Sequence, residues 1–217
     1  MALTLVIGNK NYSSWSLRPW LALAHHKIAF EEVIIPIHTP ETPAAIGKYS
    51  PAGKVPVLID GEATIWESIA ILEHLAERFP DAKLWPADFA ARAHARAISS
   101  EMHSGFSALR VHCPMKLKRK KKRPLTPEVE TNVRRITEIW RNARARFGAG
   151  GEFLFGAFSA ADCMYAPVAT RFMSYEVDVD PVSKAYIDAI YRLPAFRDWQ
   201  KAGLSETWTH TTTDAIA

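Results

Sequence analysis

Cysteine is scarce in this chain: Cys113 and Cys163 are the two among 217 residues. They stand too far apart for a CxxC redox pair and are too few for a disulfide framework, so both are expected to be buried, weakly polar core residues. Long apolar runs are also missing, and with them any stretch able to span a membrane. The beginning, MALTLVIGNKNY, has no charged lead, extended apolar segment or small-residue cleavage site, which implies a cytoplasmic protein. The eight histidines include the pair His25-His26 but no HExxH and no clustered Cys/His spacing, so no metal site is expected. No GxSxG elbow is present, which argues against a serine nucleophile. Internal repeats are absent.

What remains is an ordinary globular composition, 48% hydrophobic and 23% charged, enough for one large domain or two modest ones. The net charge of +4 is unevenly spread. Residues 116–123, KLKRKKKR, hold seven basic side chains, without which the chain would carry −3. No recognition element or interleaved aromatics accompany this run. It reads as a solvated loop closed by Pro124, ahead of a tether for nucleic acid or an anionic membrane.

The first eighty residues have a legible order. LTLVIG suits a strand buried on both faces. Leu17, Trp20, Leu21 and Ala24 form the stripe of a helix starting near Ser16, with Pro19 in its first turn. FEEVIIPI reads as a second strand, parallel to the first because a crossover helix intervenes. PETPAAIGKYSP is a short helical or irregular piece. VPVLIDGEATIW predicts an antiparallel hairpin turning at Asp60-Gly61, and Ile65, Ile69, Leu72, Ala76 and Phe79 mark a helix ending before Pro80. The string βαβ, connector, ββα is the order of a thioredoxin-like domain. After PDAKLWP the periodicity is helical throughout, over 87–111 and 126–147, with no further strand. Ser159 and Asp162 form a capping box, with Phe158 and Cys163 placed as its hydrophobic staple. Pro194 opens a last helix that Gly203 is expected to close.

An α/β thioredoxin-like first half with Val-Pro before the hairpin, Glu-Ser opening the next helix, and an all-α second half with a capped SAAD resembles the cytosolic glutathione transferases. The serine loop YSSWSLR looks most like the serine-type sites of the zeta and theta classes, although the zeta pattern has a cysteine where this chain has Trp15. The resemblance implies a glutathione-binding domain at 1–80, a linker at 81–86 and an all-helical domain at 87–217.

It also assigns roles. A serine without a base beside it does not attack, but its hydroxyl can donate to the thiol of bound glutathione and favour the thiolate. A free cysteine thiol has a pKa of about 8.5, and a two-unit shift needs roughly 2.7 kcal/mol. Ser13 is placed ahead of Ser14 for this role, with Ser14 and the Trp15 backbone completing the pocket; helix capping by these serines is the alternative. Val55 and a cis Pro56 would pair with the cysteinyl backbone of glutathione, and Lys54 would reach its glycine carboxylate. Glu67 would accept the γ-glutamyl ammonium, while the Ser68 hydroxyl and N–H would bind the carboxylate at a helix N-terminus. Position alone makes His103, Phe106 and Arg110 candidates for the second-substrate pocket.

The implied activity is a homodimeric glutathione S-transferase, with glutathione as co-substrate and a small hydrophobic electrophile as partner, and with no nucleic-acid or membrane partner. A glutathione-dependent cis-trans isomerase of the maleylacetoacetate type is one alternative, for which Arg18 and Arg171 would recognise a dicarboxylate. A non-catalytic partner- or ligand-binding protein of the same fold is another. A disulfide reductase is disfavoured, because the serine loop lacks cysteine.

Overall fold

The computed structural model describes residues 2–216. Its N-terminal part contains β1 (Leu3–Gly8), α1 (Ser14–His25), β2 (Phe30–Ile35), α2 (Thr42–Gly47), β3 (Val57–Asp60), β4 (Ala63–Trp66) and α3 (Ser68–Arg78). The strands form one sheet in the order β2-β1-β3-β4, with β1–β2 parallel and the other pairs antiparallel. β1 is central, and its alternation serves two cores. Leu3, Leu5 and Ile7 face the helices, whereas Val6 joins Val57, Ile35 and Ile46 of α2 on the opposite face. This is the thioredoxin-like arrangement expected from the element order.

Local details depart from expectation in instructive ways. α1 begins at Ser14, so Pro19 lies inside the helix and has no N–H to give the Trp15 carbonyl. The hairpin loop is Gly61-Glu62, because Asp60 still pairs with Ala63; positive φ at Gly61 alone is the pattern of a type II′ turn. Ile65 belongs to β4 rather than to the following helix, and α3 buries Ile71, Leu72 and Leu75.

The remainder is helical: a short 3-10 turn (Pro80–Ala82), then α4 (Phe89–Ser104), α5 (Ser107–His112), α6 (Pro127–Phe147), α7 (Ala160–Ser174), α8 (Pro181–Arg192), α9 (Pro194–Ser205) and α10 (Thr211–Ile216). Among the described residues only isolated bridges near 153–157 add to the β structure. α7 is buried on nearly every side, packing on α1, α4 and α8. Its capping box is present: buried Asp162 accepts from the N–H groups of Ser159 (2.8 Å) and Leu154 (3.1 Å). One core runs without interruption from Leu5 and Leu21 to Tyr165, Phe172 and Trp199. Cys113 and Cys163 are free and buried, and burial pushes both thiols up.

Gly203 does not close α9. It lies within the helix, where a Cβ would stand 2.5 Å from Leu117 Cδ1 and 3.1 Å from Asn11 N. A close helix approach, rather than a cap, demands glycine there. The basic run is also more than a solvated loop. Leu117 is buried, Lys116 pairs with Asp214 at 2.7 Å, Lys122 pairs with Asp178 at 2.9 Å, and Lys118 reaches the Glu206 carbonyl. No helix among the described residues is long and apolar enough to cross a membrane.

Candidate active site

A cavity of about 670 Å³ opens where the loop before α1 meets the segment before β3, the turn into α3 and the C-terminal end of α4. Ser13, Ser14, Trp15, Lys54, Val55, Pro56, Glu67 and His103 line it. Three of the predicted clusters, the first and last more than fifty residues apart, are thereby brought to one cavity, together with a residue of α4.

The serine loop is built rather than loose. Asn9 O accepts from the N–H groups of Tyr12 (3.2 Å) and Ser13 (2.9 Å), and Asn9 Oδ1 accepts from Ile37 N at 2.9 Å. Ser13 Oγ donates to Ser16 Oγ at 2.7 Å, and Ser16 Oγ also accepts from Gly8 N at 3.1 Å. Gly8 permits this closeness: a Cβ there would sit 2.8 Å from Ile37 Cγ2 and 3.2 Å from Ser13 Cβ. Ser14 Oγ accepts from Arg171 Nη2 at 3.1 Å. Neither serine makes a side-chain cap bond at the start of α1.

The Val55-Pro56 peptide is cis. Glu67 holds φ +69°, a strained backbone for a residue with a side chain, in the turn that leads from β4 into α3. Its carboxylate lies 3.4 Å from His103 Nε2. Burial and the neighbouring Arg18 pull His103 below the usual imidazole range, which favours a neutral ring at neutral pH.

Three candidates are placed elsewhere. Ser68 is fully buried and outside the cavity lining: its hydroxyl accepts from Arg18 Nη1 at 3.1 Å and points toward Met164 Sδ. Phe106 is 9% exposed and Arg110 turns back onto the helix end, donating to the carbonyls of Gly105 (3.0 Å) and Met102. Neither lines the cavity. Arg110 nevertheless lies 4.8 Å from the Trp15 ring centroid, and Arg18 lies 4.2 Å from it. Arg18 is fully buried with no partner for Nε or Nη2, and burial holds its pKa well below normal, with Arg110 and Arg171 adding repulsion. Positive charge therefore stands behind the tryptophan, while no arginine lines the cavity itself.

Residues 12–78 match the family model for the glutathione S-transferase N-terminal domain. Over those residues the chain carries a glutathione S-transferase N-terminal domain. It is similar to a probable maleylacetoacetate isomerase of Caenorhabditis elegans, with 39% identity over 97 residues, 45% of each chain. Matched segments span 21 to 45% of the length of the first curated relatives. A glutathione transferase homologue from Burkholderia, solved with bound glutathione, superposes with TM-score 0.72 at 20% identity, over 95% of this chain and 100% of that one. A maleylacetoacetate isomerase from Anaeromyxobacter dehalogenans, with bound GSH, gives 0.63 at 25% identity, over 91% of this chain and 95% of that one.

In this glutathione transferase fold the cavity also has walls that the motifs did not announce: Tyr12, Ile37, His38, Ile46, Trp66 and Ser104. Tyr12 opens the serine loop YSSWSLR and could have been found by proximity. His38 and Ile46 lie in the proline-framed connector, where no periodic signal distinguishes lining from filler.

Proposed function

We propose that this chain is a glutathione transferase in which a hydroxyl of the serine pair holds the sulfur of glutathione as a thiolate. The observation that carries this reading is the convergence of the serine loop, Lys54–Pro56 and Glu67 on one cavity that Trp15, Ile37, Ile46 and Trp66 also line. Glutathione is an extended tripeptide with two carboxylates and one ammonium. Val55 offers main-chain groups to its centre, Lys54 a cation to one end and Glu67 an anion to the ammonium. The sulfur then falls at the N-terminal end of α1, where the helix dipole adds to the hydroxyl in favouring the anion.

Glutathione supplies the nucleophile, which forms a C–S bond to an electrophilic carbon as a leaving group departs with its electron pair. The chain's own contribution is to bind, orient and keep the thiol deprotonated. Trp15, Ile37, Trp66 and the neutral His103 ring suit a small hydrophobic electrophile. Domains at 1–80 and 87–217, a homodimeric assembly and a cytoplasmic location accompany this proposal.

Isomerisation of the maleylacetoacetate type is the second reading, favoured by the two isomerases to which the chain is similar and by the guanidinium groups behind Trp15. Calorimetry with glutathione, followed by parallel assays with an apolar aryl halide and a cis-unsaturated dicarboxylate, tests both. Saturable binding with conjugation supports the transferase. Turnover of the dicarboxylate alone would replace it with the isomerase, and no binding would leave a partner-binding protein of the same fold.

A further inference from the structure

The two serines stand in different hydrogen-bonding states. Ser13 spends its proton on Ser16 Oγ, which lies inside the loop. Ser14 is an acceptor: Arg171 Nη2 fills one of its lone pairs at 3.1 Å, leaving its own O–H to point away from that cation. Ser14 is buried to 6% exposure yet lines the cavity.

Arg171 is held on every side. It projects from α7, is 3% exposed, and donates through Nε to the Cys113 carbonyl (3.0 Å) and through Nη1 to the Pro167 carbonyl (3.2 Å). None of these partners is a carboxylate, so its positive charge is not cancelled by a paired anion. Burial lowers it to about 9, which keeps it protonated at neutral pH.

We propose that Ser14 is the hydroxyl that faces the glutathione sulfur, and that Arg171 is the positioning residue that orients and polarises it. The inference rests on the function proposed above and names the residues that would tune it. A hydroxyl that accepts from a cation is a stronger donor on its other side, because the two hydrogen bonds polarise one another. In a buried site this field is poorly screened by salt. Other groups that bear on the sulfur are His38, Lys54, Glu67 and His103 around the cavity, with Arg18 and Arg110 behind Trp15; Arg110, Tyr175 and Cys113 bear on Arg171.

The test is the ultraviolet titration of the thiolate in glutathione-saturated protein, for the parent and for Ser13→Ala, Ser14→Ala, Arg171→Gln and the Ser14→Ala/Arg171→Gln pair. The bound thiol pKa is expected to rise by about one unit or more in Ser14→Ala, a tenfold loss of thiolate at pH well below the pKa, and by less in Ser13→Ala. Arg171→Gln is expected to raise it too, and to add little in the Ser14→Ala background. Should Arg171→Gln fail to fold, Arg171→Lys, which keeps the charge, is expected to retain part of the shift.

A larger effect from Ser13→Ala than from Ser14→Ala overturns the inference while leaving the transferase reading intact. So do full additivity of the pair, which would mean a diffuse field rather than a path through Ser14, and an unchanged titration in both Arg171 variants. A parent protein that binds glutathione without lowering its thiol pKa sinks the thiolate reading itself.

Discussion

The carboxylate of Glu206 accepts hydrogen bonds from the main-chain N–H groups of both Lys10 and Asn11, at 2.6 and 2.9 Å. Trp199 Nε1 of α9 donates to the Lys10 carbonyl at 3.1 Å, so α9 and the residue that follows it clamp the approach to the serine loop. Replacing Glu206 by Ala leaves two loop donors without partners. A loss of about 1–3 kcal/mol in urea unfolding is expected, and kcat/KM should fall about tenfold or more as the serines lose their register. An unchanged kcat/KM with lowered stability would mean that the clamp supports the fold only.

Gly203→Ala isolates a packing effect against propensity. In an exposed helix this change would stabilise by about 1 kcal/mol. Here the new methyl group would meet Leu117 Cδ1 at 2.5 Å and the backbone at Lys10–Asn11 at 3.1 Å. The expected sign is therefore reversed, with a loss of about 1–3 kcal/mol in the chemical-denaturation midpoint analysis.

Asp162→Ala should damage folding rather than chemistry. The substitution orphans the buried N–H groups of Leu154 and Ser159 and the Ser159 hydroxyl, which donates to Asp162 at 2.9 Å. A destabilisation of about 3 kcal/mol or more is expected. Glutathione affinity per folded molecule, measured by calorimetry below the melting range, should stay at the parent value.

Stability should weaken on the acid side of neutrality. Burial is the largest cause holding His25, His26, His38 and His94 below the usual imidazole range, and His25 lies at about 4. Such a group binds a proton more readily in the unfolded chain. Its contribution is complete above about pH 6.5 and is lost as the pH falls toward the folded value. Asp162, raised by burial to about 6, acts with the opposite sign, because its contribution is lost as pH rises from about 4. The difference between parent and His25→Phe therefore gives the cleaner measurement: the variant's urea midpoint should decline less between pH 7 and pH 5. The phenyl ring retains the contact that His25 makes with Phe158, whose centroid is 4.1 Å away.

Local and periodic signals proved legible. The apolar run 3–8, the Gly61 turn region, the stripe of α1 and the S-x-x-D box each express a physical requirement within a few residues of chain, and each recurs in the fold. Errors fell where a neighbour distant in sequence overrode the local rule. Gly203 looked like a helix stop and is a contact surface for Lys10–Asn11. Ser68 looked like a ligand donor because it opens a helix, yet Arg18, fifty positions earlier, draws its hydroxyl into the core. Arg110 looked like a pocket residue and instead satisfies the carbonyls at the end of α4.

The sequence by itself determined the order of elements and the strand pairing senses, because these depend on side-chain periodicity and backbone preferences that act over one or two turns of chain. Only the tertiary structure decided how the two adjacent hydroxyls differ. That distinction depends on where a guanidinium 157 positions away comes to rest, and no local pattern encodes such a distance.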